Sequence, residues 1–382
     1  MGNYTYATMG MMARIRKTVL VGMSGGVDSS VTALLLARRG YRVIGVFMRS
    51  YNVDGCAERD AEDARRVAEH IGIPFYVWDI EAEYRARVIE YMIDGYRRGI
   101  TPNPDVMCNR EIKFGLFLER ARAMGADFVA TGHYVRIGKT GAGARARFVL
   151  RAAHDPQKDQ SYFLWTLGQG QLAHCLFPIG AYKKPEVRAI ARRAGLPTAE
   201  KKDSQGICFL GQVSIEDFLK AYIPETPGAI VTGDGTRIGL HRGIQFYTIG
   251  QRHLDAEFVF PKTGATGTGT SAARKPFYVA AKDPATNTIT VAQGADDPSL
   301  ARKDIRLVQV SFVRGDAYEG PVMARVRYRQ PLARATLRRA APNAEDGVYA
   351  LTFAAPQKFI AEGQSAVFYT PKGEMLGGGV IA

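Results

Sequence analysis

Residues 24–29, Ser-Gly-Gly-Val-Asp-Ser, constrain the fold most, because they join a strand-like apolar run, 18–23, to a helix-like run, 29–39. Two adjacent glycines allow a turn with positive φ and a close approach to a ligand. The first N–H groups and the positive end of the following helix favour an anion. The segment therefore predicts a phosphate-binding loop in which Asp28 holds a metal ion or caps the helix. The alternative is a Gly/Ser turn with Asp28 or Ser29 as an ordinary helix cap.

The loop matches neither common nucleotide motif. It lacks the Gly-Lys-Ser/Thr ending of the Walker loop and the glycine spacing of the Rossmann fingerprint. It resembles the PP-loop of ATP pyrophosphatases, which bind the β- and γ-phosphates and let a substrate oxygen attack the α-phosphate. This resemblance implies ATP as the cofactor.

Short buried strands alternate with helices in the first third of the chain, which predicts an α/β fold with a doubly wound parallel sheet. The strand-like runs are 18–23, 43–48, 75–79 and 127–131, and the helix-like runs are 29–39, 57–71, 81–98 and 110–124. Ligands of such sheets lie beyond the carboxyl ends of the strands. Met48 and Gly132 lie at two of these ends, so we expect the backbone near Met48 to meet the adenine and Gly132 to let a nucleotide lie close.

Glycine-punctuated β-like runs replace the helices after about residue 219. From 321 onward apolar and polar residues alternate, which is typical of antiparallel strands. We therefore predict a small, mostly-β central domain and a C-terminal antiparallel β-barrel. The predicted domains are residues 14–218, 219–300 and 301–382. The Gly/Thr-rich stretch 261–275 is expected to be a mobile loop.

The net charge of +14 indicates a polyanionic partner. Residues 301–340 contain ten Arg or Lys against three Asp or Glu, half of the excess charge. Alternation places Arg325, Arg327 and Arg329 on one strand face. Nucleic acid is the expected partner, and a solvated arginine-rich surface is the alternative.

Composition excludes several other classes. No apolar run approaches the ~20 residues of a membrane span, and residues 1–13 lack the core of a secretory signal, so we expect a cytoplasmic protein with no membrane partner. The four cysteines form no Cys-x-x-Cys pair, which argues against zinc knuckles and thioredoxin-like motifs.

Two segments carry further chemistry. Residues 101–109 place Asp105 and Cys108 three residues apart in a proline-stiffened loop, with a helix predicted from about Arg110. A thiol at that helix N-terminus, near basic side chains, is expected to have a lowered pKa. A second thiol, Cys208, lies between glycines in an irregular stretch. Each cysteine is a candidate nucleophile, and a small buried apolar residue is the alternative.

Six segments, taken in order, resemble the tRNA-specific 2-thiouridylase family. They are residues 22–29, 103–109, 130–134, 158–164, 206–209 and 247–252. The resemblance extends from about residue 15 to residue 382. Departures are residues 1–13, the stretch 261–275 and Gln205, where a small residue is expected.

The resemblance implies ATP-dependent replacement of the 2-oxygen of the wobble uridine of tRNA by sulfur. An adenylated uridine is the expected intermediate, AMP and pyrophosphate are released, and Mg²⁺ balances the phosphate charge. By similarity Cys208 carries the persulfide, and Cys108 either releases the sulfur or assists its direct attack. Asp105 is the implied acid/base. A persulfide carrier or a cysteine desulfurase is the implied sulfur donor.

The implied contacts fall into two groups. Those expected to bind the nucleotide are Gly22, Met23, Ser24, Gly25, Gly26, Val27, Asp28, Ser29, Met48 and Gly132. Those expected to contact the target base or the tRNA are Asn103, Pro104, Asp105, Lys158, Asp159, Gln160, Arg327 and Tyr328. No set of metal-ligating side chains is predicted. Asp159 as a helix cap and Tyr328 as a core residue are the alternatives.

Two other functional classes stay open at this point. One is a different PP-loop enzyme, a ligase or a sulfur-free tRNA-adenylating enzyme, which needs no cysteine pair. The other is a non-catalytic RNA-binding protein that keeps the fold.

Overall fold

The computed structural model describes residues 16–50, 55–203, 213–258, 275–340 and 347–382. Its first part contains a parallel sheet and a separate hairpin. The strands are β1 (Thr18–Gly22), β2 (Arg42–Arg49), β3 (Phe75–Asp79), β4 (Phe128–Ala130), β5 (Val135–Thr140), β6 (Arg147–Ala152) and β7 (Cys175–Leu176). The five-stranded parallel sheet has the order β3-β2-β1-β4-β7, and β5 pairs with β6. From β1 to β3 strands are added on one side of β1, and from β4 onward they are added on the other side. Such sheets bind ligands at this switch point, which lies between β1 and β4.

Helices follow these strands. They are α1 (Val27–Arg38), α2 (Cys56–Ile71), α3 (Glu81–Tyr84), α4 (Glu90–Arg97), α5 (Pro104–Met107), α6 (Phe117–Ala123), α7 (Gln169–Leu172), α8 (Lys184–Arg193) and α9 (Ile215–Lys220). Two π-helical stretches, Arg85–Ile89 and Cys108–Leu116, join α3 to α4 and α5 to α6. Residues 81–97 and 104–123 therefore form two continuous helices.

The two faces of the parallel sheet bury different residues of β1, because side chains alternate along a strand. Val19 and Val21 belong to a core that includes α1, α2 and α8. Leu20 belongs to a second core that includes Phe117 and Leu118 of α6. Helices thus cover both faces, and the predicted doubly wound fold is confirmed.

The helix that carries Asp105 and Cys108 begins earlier than predicted. Pro104 occupies its first turn, where the missing N–H costs nothing, and Asn103 Oδ1 accepts a hydrogen bond from Val106 N–H at 3.2 Å. The predicted start near Arg110 is wrong, because a proline that is typical of loops is also suited to the first turn of a helix, as Pro104 is here.

The central unit is a mostly antiparallel sheet. Its strands are β8 (Gly228–Thr232), β9 (Arg237–His241), β10 (Ala256–Phe258), β11 (Phe277–Asp283) and β12 (Thr288–Gln293), in the order β10-β9-β8-β12-β11. Only β8 and β12 pair in parallel within it. Ile230, Ile289 and Val291 are buried in its core.

The C-terminal unit is a closed six-stranded barrel, as predicted. Its strands are β13 (Ala301–Phe312), β14 (Gly320–Arg325), β15 (Ala333–Arg339), β16 (Tyr349–Lys358), β17 (Ser365–Tyr369) and β18 (Met375–Ile381), in the order β13-β16-β15-β14-β17-β18. Leu307, Phe353 and Phe368 are fully buried inside it. Closure removes the exposed edges of an open sheet.

The three arginines predicted to share one strand face do not do so. β14 ends at Arg325, which is buried, and Arg327 is half-buried. Arg329 has φ +65° in a turn and is exposed. The alternation was followed past the end of the strand, so the predicted basic face is wrong.

Some predictions fall outside the described residues. They include the stretch 261–275, except Lys275, and residues 1–13. Within the described ranges, no helix is both long and apolar enough to cross a bilayer.

Candidate active site

The loop between β1 and α1 depends on two glycines. Gly25 has φ +72°, and a Cβ there would lie 2.3 Å from the backbone oxygen of Asp60, so a side chain is excluded on both grounds. Gly26 is the N-cap residue of α1, and within the described part of the chain no side chain caps this helix end. The N–H groups of the first turn of a 12-residue helix therefore face an uncapped end, which fits a phosphate group.

Serines hold the loop closed. Ser29 Oγ accepts a hydrogen bond from Ser24 N–H and donates one to Gly26 O, both at 3.1 Å. Ser29 thus fixes the turn but does not cap the helix, and neither does Asp28. The alternative of an ordinary helix cap is wrong.

Asp28 is engaged by two side chains from distant parts of the chain. Lys184 Nζ lies 2.8 Å from both carboxylate oxygens, and the Tyr134 hydroxyl donates to Oδ1 at 2.8 Å. Burial and the Asp28 charge raise the pKa of the Tyr134 hydroxyl, so it stays a donor. Across the described residues, no group of three His, Cys, Asp or Glu side chains is arranged to hold a metal ion.

Asp203 extends this network. Its carboxylate lies 2.7 Å from Lys184 Nζ, 2.6 Å from Lys158 Nζ and 2.8 Å from Arg188 Nη2. Although burial opposes it, hydrogen bonds from Lys158 and Lys184 lower the pKa of the Asp203 carboxyl to about 2. Two carboxylates and three cations thus form one network that connects the glycine loop at Asp28 to Asp203.

The other predicted nucleotide contacts surround the loop. A Cβ on Gly132 would lie 2.8 Å from the backbone nitrogen of Ser29, so this glycine is required for packing against α1, whatever its role toward a nucleotide. A Cβ on Gly22 would lie 3.3 Å from Met48 Cε. Met23 and Val27 are among the buried residues, and their side chains belong to the core.

The helix that starts at Pro104 carries the predicted acid/base and one predicted thiol. Cys108 is buried and lies a full turn inside the helix, so the helix-terminal position expected for it is wrong. Burial raises the pKa of the Asp105 carboxyl, while Lys113 opposes the rise. A carboxyl with a raised pKa is suited to acid/base work. Cys208 lies outside the described residues.

Aromatic contacts bring this helix to the end of β4. Phe114 packs against His133 with ring centroids 5.8 Å apart, and Thr131 Oγ1 lies 2.7 Å from His133 Nδ1. Burial lowers the pKa of His133 well below its usual value, so the ring is neutral. Met48 packs against the core that contains Cys108. These contacts place the glycine loop beside the end of β4, and the end of β4 beside the Phe114 turn of the helix that carries Asp105 and Cys108.

The predicted tRNA-contacting segment 158–160 is mostly engaged within the protein. Lys158 pairs with Asp203, and Gln160 Oε1 accepts from Tyr134 N–H at 2.9 Å.

Asp159 is 4% exposed. Its carboxylate accepts from Ala153 N–H, Ser161 N–H and Ser161 Oγ, and it pairs with Arg325 of the barrel at 3.0 Å. The alternative of a helix cap describes only one of these bonds.

Arg327 and Tyr328 lie where the barrel meets the other two units. Arg327 Nη2 donates to the backbone oxygen of Ile249 in the central unit at 2.5 Å. The Tyr328 ring lies 4.6 Å from the Phe163 ring, in the aromatic contact expected of a core residue. Their contact with tRNA stays a prediction.

Comparison with known proteins decides the family. The tRNA methyl transferase HUP domain model matches residues 17–212, the tRNA methyl transferase PRC-barrel domain model matches 216–293, and the Aminomethyltransferase beta-barrel domain model matches 302–381. A tRNA-specific 2-thiouridylase MnmA of Thiobacillus denitrificans (strain ATCC 25259 / T1) is 46% identical over 371 residues, 95% of this chain and 99% of the relative. The tRNA-specific 2-thiouridylase MnmA 2 of Geobacillus kaustophilus (strain HTA426) is 45% identical over 370 residues, 95% and 94% of the two chains.

The chain belongs to the tRNA-specific 2-thiouridylase family. The predicted family is therefore confirmed. A solved 4-thiouridine synthetase–RNA complex with bound ATP is similar with 17% identity and a TM-score of 0.34, over 54% of this chain and 50% of that one. A likeness this slight says nothing more about the chain.

Sequence reasoning missed several residues at this thiouridylase-family site. Tyr134, after β4, and Lys184, on α8, both contact Asp28 from more than a hundred residues away. Arg188, also on α8, contacts Asp203. Tyr134 lay within a recognised segment, which was the available signal. Nothing near Lys184 in the sequence indicates its partner.

Proposed function

We propose that this protein carries out ATP-dependent 2-thiolation of the wobble uridine of tRNA. The observation that carries the proposal is the similarity, at 45–46% identity over 95% of the chain, to relatives named tRNA-specific 2-thiouridylase. The uncapped glycine loop at the sheet edge supports the use of ATP. The net charge of +14 supports a nucleic-acid substrate.

A uracil carbonyl oxygen is a poor leaving group, so we propose activation before sulfur enters. The 2-oxygen attacks the α-phosphate of ATP, pyrophosphate leaves, and the oxygen becomes part of an AMP leaving group. The loop residues 24–29 are proposed to bind the phosphates through backbone N–H groups. Mg²⁺ bound to these phosphates would supply charge neutralisation, and Asp28 is the carboxylate of the loop that could hold it.

Sulfur is proposed to arrive as a persulfide on Cys208. Attack by the Cys108 thiolate on the inner sulfur forms a Cys108–Cys208 disulfide and frees sulfide, which attacks C2 of the uridine and displaces AMP. In the alternative, the persulfide attacks C2 directly, and the disulfide forms as the thiolated base is released. A persulfide carrier or a cysteine desulfurase is the proposed donor, and a separate dithiol reductant, itself oxidised to a disulfide, returns the enzyme to the dithiol state.

Asp105 is proposed as the acid/base at the base. Its pKa, raised by burial, supports this role, because a carboxyl with a raised pKa holds a proton more readily than an exposed one and can donate it to the reacting base. Asn103 and Pro104 are proposed to line the pocket of the flipped-out uridine. We also propose tRNA contacts for five residues whose side chains would first have to leave the internal partners described above: Lys158, Asp159, Gln160, Arg327 and Tyr328. The proposed location is the cytoplasm.

Two measurements separate this proposal from the other classes. AMP release that depends on tRNA excludes a non-catalytic RNA-binding protein. A Cys108→Ser/Cys208→Ser double variant should adenylate yet form no thiolated nucleoside. Full product formation by that double variant would instead indicate a PP-loop enzyme that uses no cysteine pair.

A further inference from the structure

The C-terminal barrel contacts the backbone that precedes the Asp105–Cys108 helix. The turn between β16 and β17 presents the Glu362 backbone oxygen, which accepts a hydrogen bond from Thr101 N–H at 2.8 Å. Gln364 Nε2 donates to Thr101 O at 3.1 Å and to Pro102 O at 3.3 Å. Because both partners are carbonyl oxygens, only the amide nitrogen of Gln364 satisfies this geometry.

The two backbones approach closely at Gly363. Gly363 has φ +86°, and a Cβ there would lie 2.9 Å from the carbonyl carbon and oxygen of Thr101. Gly363 N–H donates to Ile381 O at 2.8 Å, which anchors the turn to the last strand of the barrel. The turn is therefore held by contacts within the barrel as well as by those to Thr101.

The stretch 101–103 is held from the other sides as well. Pro102 packs on α4, where a Cβ on Gly95 would lie 2.8 Å from Pro102 Cγ. Thr101 Oγ1 donates to Thr248 Oγ1 of the central unit at 3.4 Å. Thr101 and Asn103 are 6% and 8% exposed. Buried carbonyls need partners, and those of residues 101 and 102 are supplied by Gln364 of the barrel.

We propose that Gln364 is a positioning residue for the reaction. It fixes the carbonyls of Thr101 and Pro102, so that Asn103 caps the helix at Pro104 and the helix presents Asp105 and Cys108 in one orientation. The barrel is thus a structural part of the candidate active site as well as a candidate tRNA-binding surface. The kinetic test of this proposal rests on the proposed function, whereas the hydrogen-exchange test does not.

The kinetic test compares Gln364→Met, which keeps the volume but removes the donors, with Gln364→Glu, which keeps the shape but turns acceptors toward the two carbonyls. Gln357→Met is the matched control, because the hydrogen bonds of Gln357 stay within the barrel. We expect kcat for thiolated tRNA to fall about tenfold in Gln364→Met and further in Gln364→Glu. KM for tRNA should change less than kcat, and the control should match the wild type.

A packing role for Gln364 predicts the opposite order, with Gln364→Glu near the wild type. That order, or a wild-type kcat in both variants, would overturn the proposal. If Gln364→Glu does not fold, as judged by its melting curve, the Gln364→Met result decides alone.

A second readout does not depend on activity. The Val106 N–H is bonded to Asn103 Oδ1, so its hydrogen exchange reports the cap. We expect exchange about tenfold faster in Gln364→Met than in the wild type and unchanged in Gln357→Met; equal rates in all three would contradict the proposal. A wild type that makes no thiolated tRNA would end the proposed function, and the exchange comparison would still test the positioning.

Discussion

Lys184 Nζ lies 2.8 Å from both carboxylate oxygens of Asp28 and 2.7 Å from Asp203, and the Lys184 side chain is only 10% exposed. The lysine therefore joins the glycine loop to the stretch that ends at residue 203. Its own α8 begins at this residue, so the helix start, the loop and Asp203 are connected through one ammonium group.

Replacing Asp28 with Ala should abolish AMP formation and leave the protein folded. No cap is lost, and Lys184 keeps Asp203 as a partner, so the expected loss of stability is on the order of 1–3 kcal/mol. AMP release is measured with ATP and tRNA, and a thermal melt checks the fold. Glu200→Ala, which removes an exposed ion pair with Arg192, is the control. Wild-type AMP release by Asp28→Ala would contradict the nucleotide site.

The cysteines should separate by function. We expect Cys208→Ser to accept no sulfur and Cys108→Ser to be persulfidated, with neither making thiolated tRNA and both forming AMP. Cys175→Ser is the matched control, because Cys175 is buried in β7 and burial raises the pKa of its thiol to about 12. Protein mass spectrometry detects the persulfide. A Cys108→Ser enzyme that turns over at the wild-type rate would show that direct persulfide attack suffices.

Arg325 should matter for stability rather than for salt-dependent tRNA binding. It is 8% exposed, and its removal leaves the Asp159 carboxylate buried without its ion partner. Arg325→Met should cost about 3–5 kcal/mol of unfolding free energy, measured by urea denaturation. Arg329→Met, at an exposed site, should change the unfolding free energy little. A stable Arg325→Met protein with a reduced salt slope of tRNA binding would return Arg325 to the tRNA surface.

Asp203 should make stability depend on pH. Its pKa is about 2 in the folded protein against 3.8 as the reference value, so the ionised carboxylate favours folding above about pH 4. This contribution is lost as the pH falls from about 4 toward 2. The urea midpoint of Asp203→Asn should therefore lie below the wild type at pH 5–7, with a difference that shrinks below pH 4. A difference that stays constant down to pH 3 would contradict the assigned ion pairs.

Local patterns predicted the fold well. Phe75–Asp79 was predicted with its observed bounds, and the residues around Gly25 and Gly26 were placed correctly between β1 and α1, because strand, glycine turn and helix are encoded by adjacent residues. The barrel followed from alternation, as in β14. Prediction was wrong where a local signal has two meanings, as for Pro104, which begins a helix.

The site was harder to predict because its contacts are not local. Gln364 meets Thr101 from 263 residues away, and Lys184 meets Asp28 from 156 residues away. Arg325 and Asp159 are predicted from the sequence to be surface charges, yet both are buried and form an ion pair with each other. Periodicity describes which side of a strand a residue occupies, and it carries no information on which distant charge covers that side.

One measurement tests the central claim most directly: mass spectrometry of nucleosides from tRNA incubated with the protein, ATP, Mg²⁺ and a persulfide source. We predict a wobble uridine in which sulfur replaces the 2-oxygen, formed only when ATP is present and accompanied by AMP. The claim would be contradicted if the folded protein bound the tRNA and the wobble uridine stayed unmodified, whether or not AMP was released.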